Sequence, residues 1–153
     1  MQQLEVFGCR FDLPGHYKLI KPIGQGACGI VCAVEDTTTG AHMALKQIPR
    51  VFNNLTETKR TLREIRLLRC LRHRNIVSLI HVLPPVSPAD FNEIYLASEL
   101  LDTDLNQIIN SAQPLTDEHI QYFMWQLLCG KHRQRNSLDA VAHRLMCYHP
   151  HSG

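Results

Sequence analysis

Ile23-Gly24-Gln25-Gly26-Ala27-Cys28-Gly29-Ile30-Val31 is followed by Met43-Ala44-Leu45-Lys46, whose lysine lies fifteen residues past Val31. The glycine run lies between Tyr17–Ile23 and Gly29–Val34, two apolar-leaning stretches that read as strands. The polar turn Asp36-Thr37-Thr38-Thr39-Gly40 then leads into Ala41–Ile48, which completes a three-stranded antiparallel meander. A dinucleotide-binding glycine motif would open a helix, but here the third glycine opens another β-branched strand. No Gly-Lys-Ser/Thr closes the run, so it is not a P-loop either. Two readings remain: glycines that serve only a tight turn, or a hairpin whose backbone lies over a triphosphate and offers its N–H groups to the oxygens.

Lys46 narrows the choice. A single lysine in an apolar strand calls for an anionic partner, because an unpaired buried ammonium costs several kcal/mol or gives up its proton. Phosphate is one partner and Glu64 the other. Glu64 lies on Thr56–Leu71, where Leu62, Ile65, Leu68 and Leu71 recur at helical spacing beside Arg60, Arg63, Arg66 and Arg69. Asn54, with Glu57 three residues on, suits the start of this helix. Read alone, Glu64 is one more solvated helical carboxylate. Strands are expected at Ile76–Val82 and Ile94–Leu100, separated by the loop Pro84-Pro85-Val86-Ser87-Pro88. A short helix is expected at Asp104–Asn110. Thr116 caps a further helix, with Asp117 and Glu118 in its first turn and Ile120, Phe123, Met124, Leu127 and Leu128 along one stripe. Residues 1–16 show no clear period. Three strands, a helix, two strands and then helices make an α+β chain, since strands and helices do not alternate.

The 153 residues are 44% hydrophobic and 20% charged, enough to bury one core. No stretch is long and apolar enough to span a membrane, and the first residues lack a signal peptide's pattern, so a soluble intracellular protein is expected. A net charge of +2 argues against nucleic acid and membrane surfaces as partners, and the arginine row has too few aromatics around it to change that. Six cysteines without a C-x-x-C pair read as reduced thiols. His143, Cys147, His149 and His151 contain zinc-ligand types but no finger spacing, so no metal site is expected. Residues 131–153 carry a net +3 and four of the nine histidines, against −1 for the first 130 residues. The composition changes at Gly130.

Taken together, the glycine run, Met43-Ala44-Leu45-Lys46 and the helical Glu64 resemble the N-lobe of a protein kinase. Within that family the chain is most similar to the mitogen-activated protein (MAP) kinases. Ile23–Cys32 resembles their glycine loop, with Cys28 where an aromatic is usual. Arg60-Thr61-Leu62-Arg63-Glu64-Ile65 resembles their helix C, and Ile94–Leu105 their hinge. The resemblance runs from Tyr17 to Gly130. It implies a five-stranded antiparallel sheet with helix C over 17–101, the start of a helical C-lobe over 102–130, an N-terminal arm over 1–16, and an atypical, disordered tail over 131–153.

The resemblance also assigns roles. ATP would lie beneath Ile23, Gly24, Gln25, Gly26, Ala27, Cys28, Gly29, Ile30 and Val31. Adenine would sit between Val31 with Ala44 and the hinge backbone at Glu99, Leu100 and Leu101, with Asp104 near the ribose. Lys46 would hold the α- and β-phosphates and pair with Glu64. Ser98 would gate the space behind adenine, and its small side chain would admit bulky adenine analogues. Arg60 and Arg63 would help receive an activation-loop phosphothreonine through their planar forks. Ile108, Leu115, His119 and Tyr122 resemble one wall of a groove for docking peptides, unless they simply pack. The family transfers the γ-phosphate of ATP to serine or threonine of protein substrates in signalling, using Mg, in the cytoplasm or nucleus.

After Gly130 the pattern departs from the family. His143-Arg144-Leu145 has leucine where the family's catalytic aspartate stands. No Asp-Phe-Gly, Thr-x-Tyr or Ala-Pro-Glu occurs in the sequence. The catalytic carboxylate and the magnesium ligands are therefore expected to be missing, and this chain alone is expected to be inactive. Gly130-Lys131 can be encoded GGTAAG, a splice-donor pattern, so 131–153 is expected to be translated intron or frameshifted sequence. The rival expectation is a short isoform that binds ATP or kinase partners and interferes with a full-length kinase; a third is an inert product that folds poorly.

Overall fold

Alternation of side chains along Gly29–Asp36 (β4) and His42–Ile48 (β5) gives this sheet two different faces. Ile30, Cys32, Val34, Met43, Leu45 and Gln47 point to one side and are buried; Val31, Ala33, Ala44 and Lys46 point to the other. The computed structural model describes residues 2–26, 29–83 and 91–139, without the side chains of 133–139. Ala27, Cys28, the loop at 84–88 and the His143–His151 cluster lie outside the described residues.

Tyr17–Gly26 (β3), β4, β5, Leu79–Leu83 (β6) and Ile94–Glu99 (β7) form one five-stranded antiparallel sheet in the order β3-β4-β5-β7-β6. This is the expected kinase-like N-lobe sheet in an α+β chain. The edge strand β3 shifts register between Leu19 and Lys21 and again between Pro22 and Gly24. Pro22 has no N–H to give to a ladder, so an edge with a bulge suits it. β6 begins at Leu79 rather than Ile76, because the Ile76 N–H closes a turn on the His73 carbonyl at 3.0 Å.

Residues 2–13 form a hairpin that the sequence did not announce. Gln2–Val6 (β1) pairs antiparallel with Cys9–Leu13 (β2), and Phe7 (φ 52°) and Gly8 (φ 72°) make the turn. Positive φ at both central residues matches the right-handed twist of the flanking strands. Val6, Phe11 and Leu13 join Tyr17, Ile30, Cys32, Val34, Met43, Leu45, Tyr95 and Ala97 in one core. The hairpin thus covers the sheet face opposite Lys46.

The helices are Leu55–Cys70 (α1), Leu105–Ile109 (α2) and Asp117–Asp139 (α3). Asn54 Oδ1 accepts from the Thr56 N–H at 2.9 Å, while Glu57 pairs with Arg60 at 2.8 Å. On α1, Thr61 and not Leu62 is buried; Leu62 is 46% exposed, while Ile65 and Leu68 are half-buried. The expectation of disorder from residue 131 does not hold for 131–139, where α3 continues. The stretch holds no proline, and extending an existing helix avoids the cost of nucleation.

The chain divides into two compact units, Met1–Leu62 with Leu79–Asp102, and Arg63–Ser78 with Thr103–Gly153. The first contains the sheet and the hairpin. In the second, Asn75 Nδ2 donates to the Gln126 carbonyl at 2.8 Å, and a Cβ on buried Gly130 would lie 3.0 Å from the Asn75 carbonyl oxygen. Glycine at 130 therefore serves close packing of α3 on the segment after α1.

Candidate nucleotide site

Register decides which residues share the face opposite the core. Val31 lies across from Lys46, and Lys46 from Leu96; Ala44 lies across from Ala33 on one side and Ser98 on the other. Strand alternation sends these side chains to the same face. Lys46 is half-buried there, with its aliphatic stem between two apolar neighbours in register. A long cationic side chain is suited to this, since it buries its stem and extends its ammonium beyond it. Small side chains at Ala33, Ala44 and Ser98 leave the middle of the face shallow.

The three glycines differ in what surrounds them. A Cβ on Gly24 or Gly26 would meet nothing within 4 Å. Gly29 has φ +120°, and a Cβ there would run into the carbonyl oxygen of Gln47, with the carbonyl carbon at 2.9 Å and Pro49 Cδ at 3.3 Å. Gly29 is therefore required by the approach of β4 to β5. Gly24 and Gly26 keep an open strand surface, which suits a backbone cradle for phosphate oxygens. Gln25 Nε2 donates to Cys9 Sγ at 3.7 Å, so the tip of β3 is tethered to the N-terminal hairpin. Ile23 is 46% exposed and Val31 half-buried, both adjacent to these glycines.

β7 ends at Glu99, in register with Met43, and Leu100–Asp102 follow without regular structure. Leu101 is 58% exposed. An exposed apolar side chain on an irregular segment beside the Ala44–Ser98 pair is a suitable wall for a planar heterocycle. Asp104 caps α2: its Oδ1 accepts from the Gln107 N–H at 2.8 Å, and its Oδ2 from Gln107 Nε2 at 3.2 Å. That carboxylate is engaged locally, and it belongs to the second unit together with Glu64. The sheet unit thus brings together Ile23, Gly24, Gln25, Gly26, Gly29, Ile30, Val31, Ala44, Lys46, Ser98, Glu99, Leu100 and Leu101. Ile30 points to the core side, so only its backbone borders the site.

Ile108 and Leu115 are half-buried, whereas His119 and Tyr122 are exposed. Tyr122 stacks on Trp125 with ring centroids 6.4 Å apart, and Thr116 Oγ1 lies 3.2 Å from His119 Nδ1. Among the described residues no group of three or more His, Cys, Asp or Glu stands together as metal ligands, and no helix is long and apolar enough to cross a membrane.

Sequence reasoning missed the polar cluster behind Lys46. Gln47, Tyr95 and Asp12 are buried polar residues on the hairpin side of the sheet. Burial raises the Tyr95 hydroxyl well above its usual value and pushes the Cys32 thiol up to about 11. Only the glutamine interrupting an apolar strand could have signalled the cluster.

The protein kinase domain family matches residues 17–143, thirteen positions beyond Gly130. Extracellular signal-regulated kinase 1 of Dictyostelium discoideum is 51% identical over 125 residues, which are 82% of this chain and 24% of that protein. Mitogen-activated protein kinase 5 of Oryza sativa subsp. indica and mitogen-activated protein kinase 3 of Arabidopsis thaliana are each 50% identical over 127 residues, 82% of this chain and 34% of theirs. The chain spans about a quarter to a third of the length of these relatives. On this match and on its sheet, the chain belongs to the protein kinase family, and its similarity within that family is to the mitogen-activated protein kinases.

Proposed function

We propose that this chain provides the ATP-binding portion of a MAP-kinase-like serine/threonine kinase. The observation that carries the reading is the register that sets Lys46 between Val31 and Leu96, on the face next to the open glycines of β3. An ammonium held beside apolar side chains and an open glycine strand is suited to an anionic ligand, and triphosphate oxygens are one. Val31, Ala44 and the Glu99–Leu101 backbone are the groups we assign to adenine. Lys46 is assigned to the phosphates.

Phosphoryl transfer in this fold depends on positioning and on neutralising charge as the γ-phosphate moves. Magnesium supplies much of that neutralisation in the family, together with an aspartate that orients the substrate hydroxyl. Of the parts that position the phosphates, the described residues of the sheet carry the glycine strand and Lys46. We therefore assign nucleotide binding to these residues. Lys46 can orient phosphates but cannot accept the proton of a hydroxyl.

The test is a melting curve of the 153-residue chain with and without MgATP. A midpoint that rises with nucleotide, and a Lys46→Met variant that folds but no longer responds, support the reading. An unresponsive wild type overturns it. Exposure of His119 and Tyr122 favours a second reading, a non-catalytic module that occupies kinase partners. Pull-down of a kinase-docking peptide that survives Lys46→Met but not Tyr122→Ala would favour that module over the nucleotide reading.

A further inference from the structure

On the face opposite Lys46, Gln47 Nε2 lies within hydrogen-bonding distance of three oxygens: Glu93 Oε2 at 2.7 Å, the Tyr95 hydroxyl at 2.9 Å and the Arg10 carbonyl at 3.1 Å. Two hydrogens shared among three acceptors leave this amide little freedom to turn. The Tyr95 hydroxyl donates to Glu93 Oε1 at 3.1 Å and accepts from Gln47 and from the Asp12 N–H, the latter at 3.0 Å. One donor and two acceptor sites are all a phenol has, so its capacity is filled. The Tyr95 ring also meets Phe11 edge-on, with centroids 5.5 Å apart. Arg10 and Asp12 close the cluster with an ion pair at 2.7 Å.

Gln47 joins β5 to the hairpin at the Arg10 carbonyl and to β7 at Tyr95, and the Asp12 N–H joins the hairpin to Tyr95, so the three elements are bonded to one another, and β5 and β7 touch the site by their position. Gln47 follows Lys46 directly, and its carbonyl is the group that approaches Gly29 so closely that only glycine fits. Tyr95 precedes Leu96, which lies across from Lys46. A buried polar network with every group satisfied fixes one arrangement of its strands, because slippage would leave polar atoms unpaired away from water.

We propose that Gln47, Tyr95 and Glu93 are positioning residues that hold the lysine strand against the glycine hairpin, with the N-terminal hairpin as their brace. They set the placement of the Lys46 ammonium relative to Gly24 and Gly26 without touching nucleotide. The inference rests on the nucleotide reading of this face and adds a set of residues that act on the phosphates through β5.

The experiment compares dissociation constants for ATP and for adenosine on the full chain and on two variants, Gln47→Met and Tyr95→Phe. Both keep side-chain length or ring packing while removing hydrogen bonds. Since misplacement of a charged group by about 1 Å weakens its action severalfold to a hundredfold, ATP is expected to bind about tenfold more weakly to each variant. Adenosine, which lacks phosphates, should change less than about twofold on the same argument. Equal loss for both ligands, or loss for neither, overturns the positioning role while leaving nucleotide binding intact. Variants that both fail to fold would make the network a folding element and also overturn it. Failure of the wild type to bind either ligand would instead remove the nucleotide reading, and this inference with it.

Discussion

A methyl group on Gly29 would collide with the Gln47 carbonyl, whereas the same group on Gly24 or Gly26 would enter open space. Gly29→Ala is therefore expected to destabilise the chain by about 2–4 kcal/mol, combining strain at φ +120° with displacement of β5. Gly24→Ala should leave the melting midpoint within a degree or two, on the order of 0.5 kcal/mol, and act on nucleotide affinity instead. Melting curves of both variants check the contrast. Cys32 gives a second test at this scale. Its thiol is buried on the core side of β4 and pushed up from 9.0 to about 11, so the folded state favours the neutral form. The stability this contributes is fully present below pH 9 and is lost as pH rises toward 11. Tyr95, raised from 10.0 by burial, adds a loss of the same sign at higher pH. The melting midpoint should fall on alkalinisation, and Cys32→Ala should flatten the first part of that fall. Cys9 and Cys70 are exposed, so at neutral pH an alkylating reagent should label them in the native chain and spare Cys32.

Elements begin where a side chain can take the first free N–H groups. Asn54 and Asp104 both do so, at 2.9 and 2.8 Å. Asn54→Ala and Asp104→Ala should each cost about 1 kcal/mol of the stability of the unit involved, read by denaturant titration. For α2, which has only five residues, local loss of helical order is the expected consequence. The sequence pattern places Asp104 inside the short helix expected at Asp104–Asn110, whereas the structure makes it the cap of Leu105–Ile109. Its assignment to a ribose came from resemblance alone, and the observed bonds give its carboxylate a local role. The hairpin shows the reverse. Gln2–Val6 and Cys9–Leu13 alternate too briefly to signal strands, and the turn rests on Phe7, a residue that seldom takes positive φ. Burial of Phe11 and Leu13 against the sheet stabilises what local propensity would not form.

For the whole chain, the surface of α3 carries the main consequence. Ile120, Met124, Trp125, Leu127 and Leu128 are 49–64% exposed. Apolar side chains crowded on one helix favour association, since their burial is worth about 1.5–3 kcal/mol each. Sedimentation of the 153-residue chain should show mass rising with concentration, and Leu127→Glu with Leu128→Lys should reduce it. A monomer at all concentrations would show that these side chains do not drive association.

Residue order alone determined the sheet strands, the capped helices and the lone lysine fifteen residues beyond the glycine run, because periodicity and turn chemistry are local properties of a chain. Resemblance then supplied the family. Contacts between distant segments are set by packing and hydrogen bonding, which no local pattern encodes. Only the tertiary structure decided that residues 2–13 pair and cover the core, that Gly29 is held by Gln47 while Gly24 stays open, and that Gln47 meets Tyr95 and Glu93 behind Lys46.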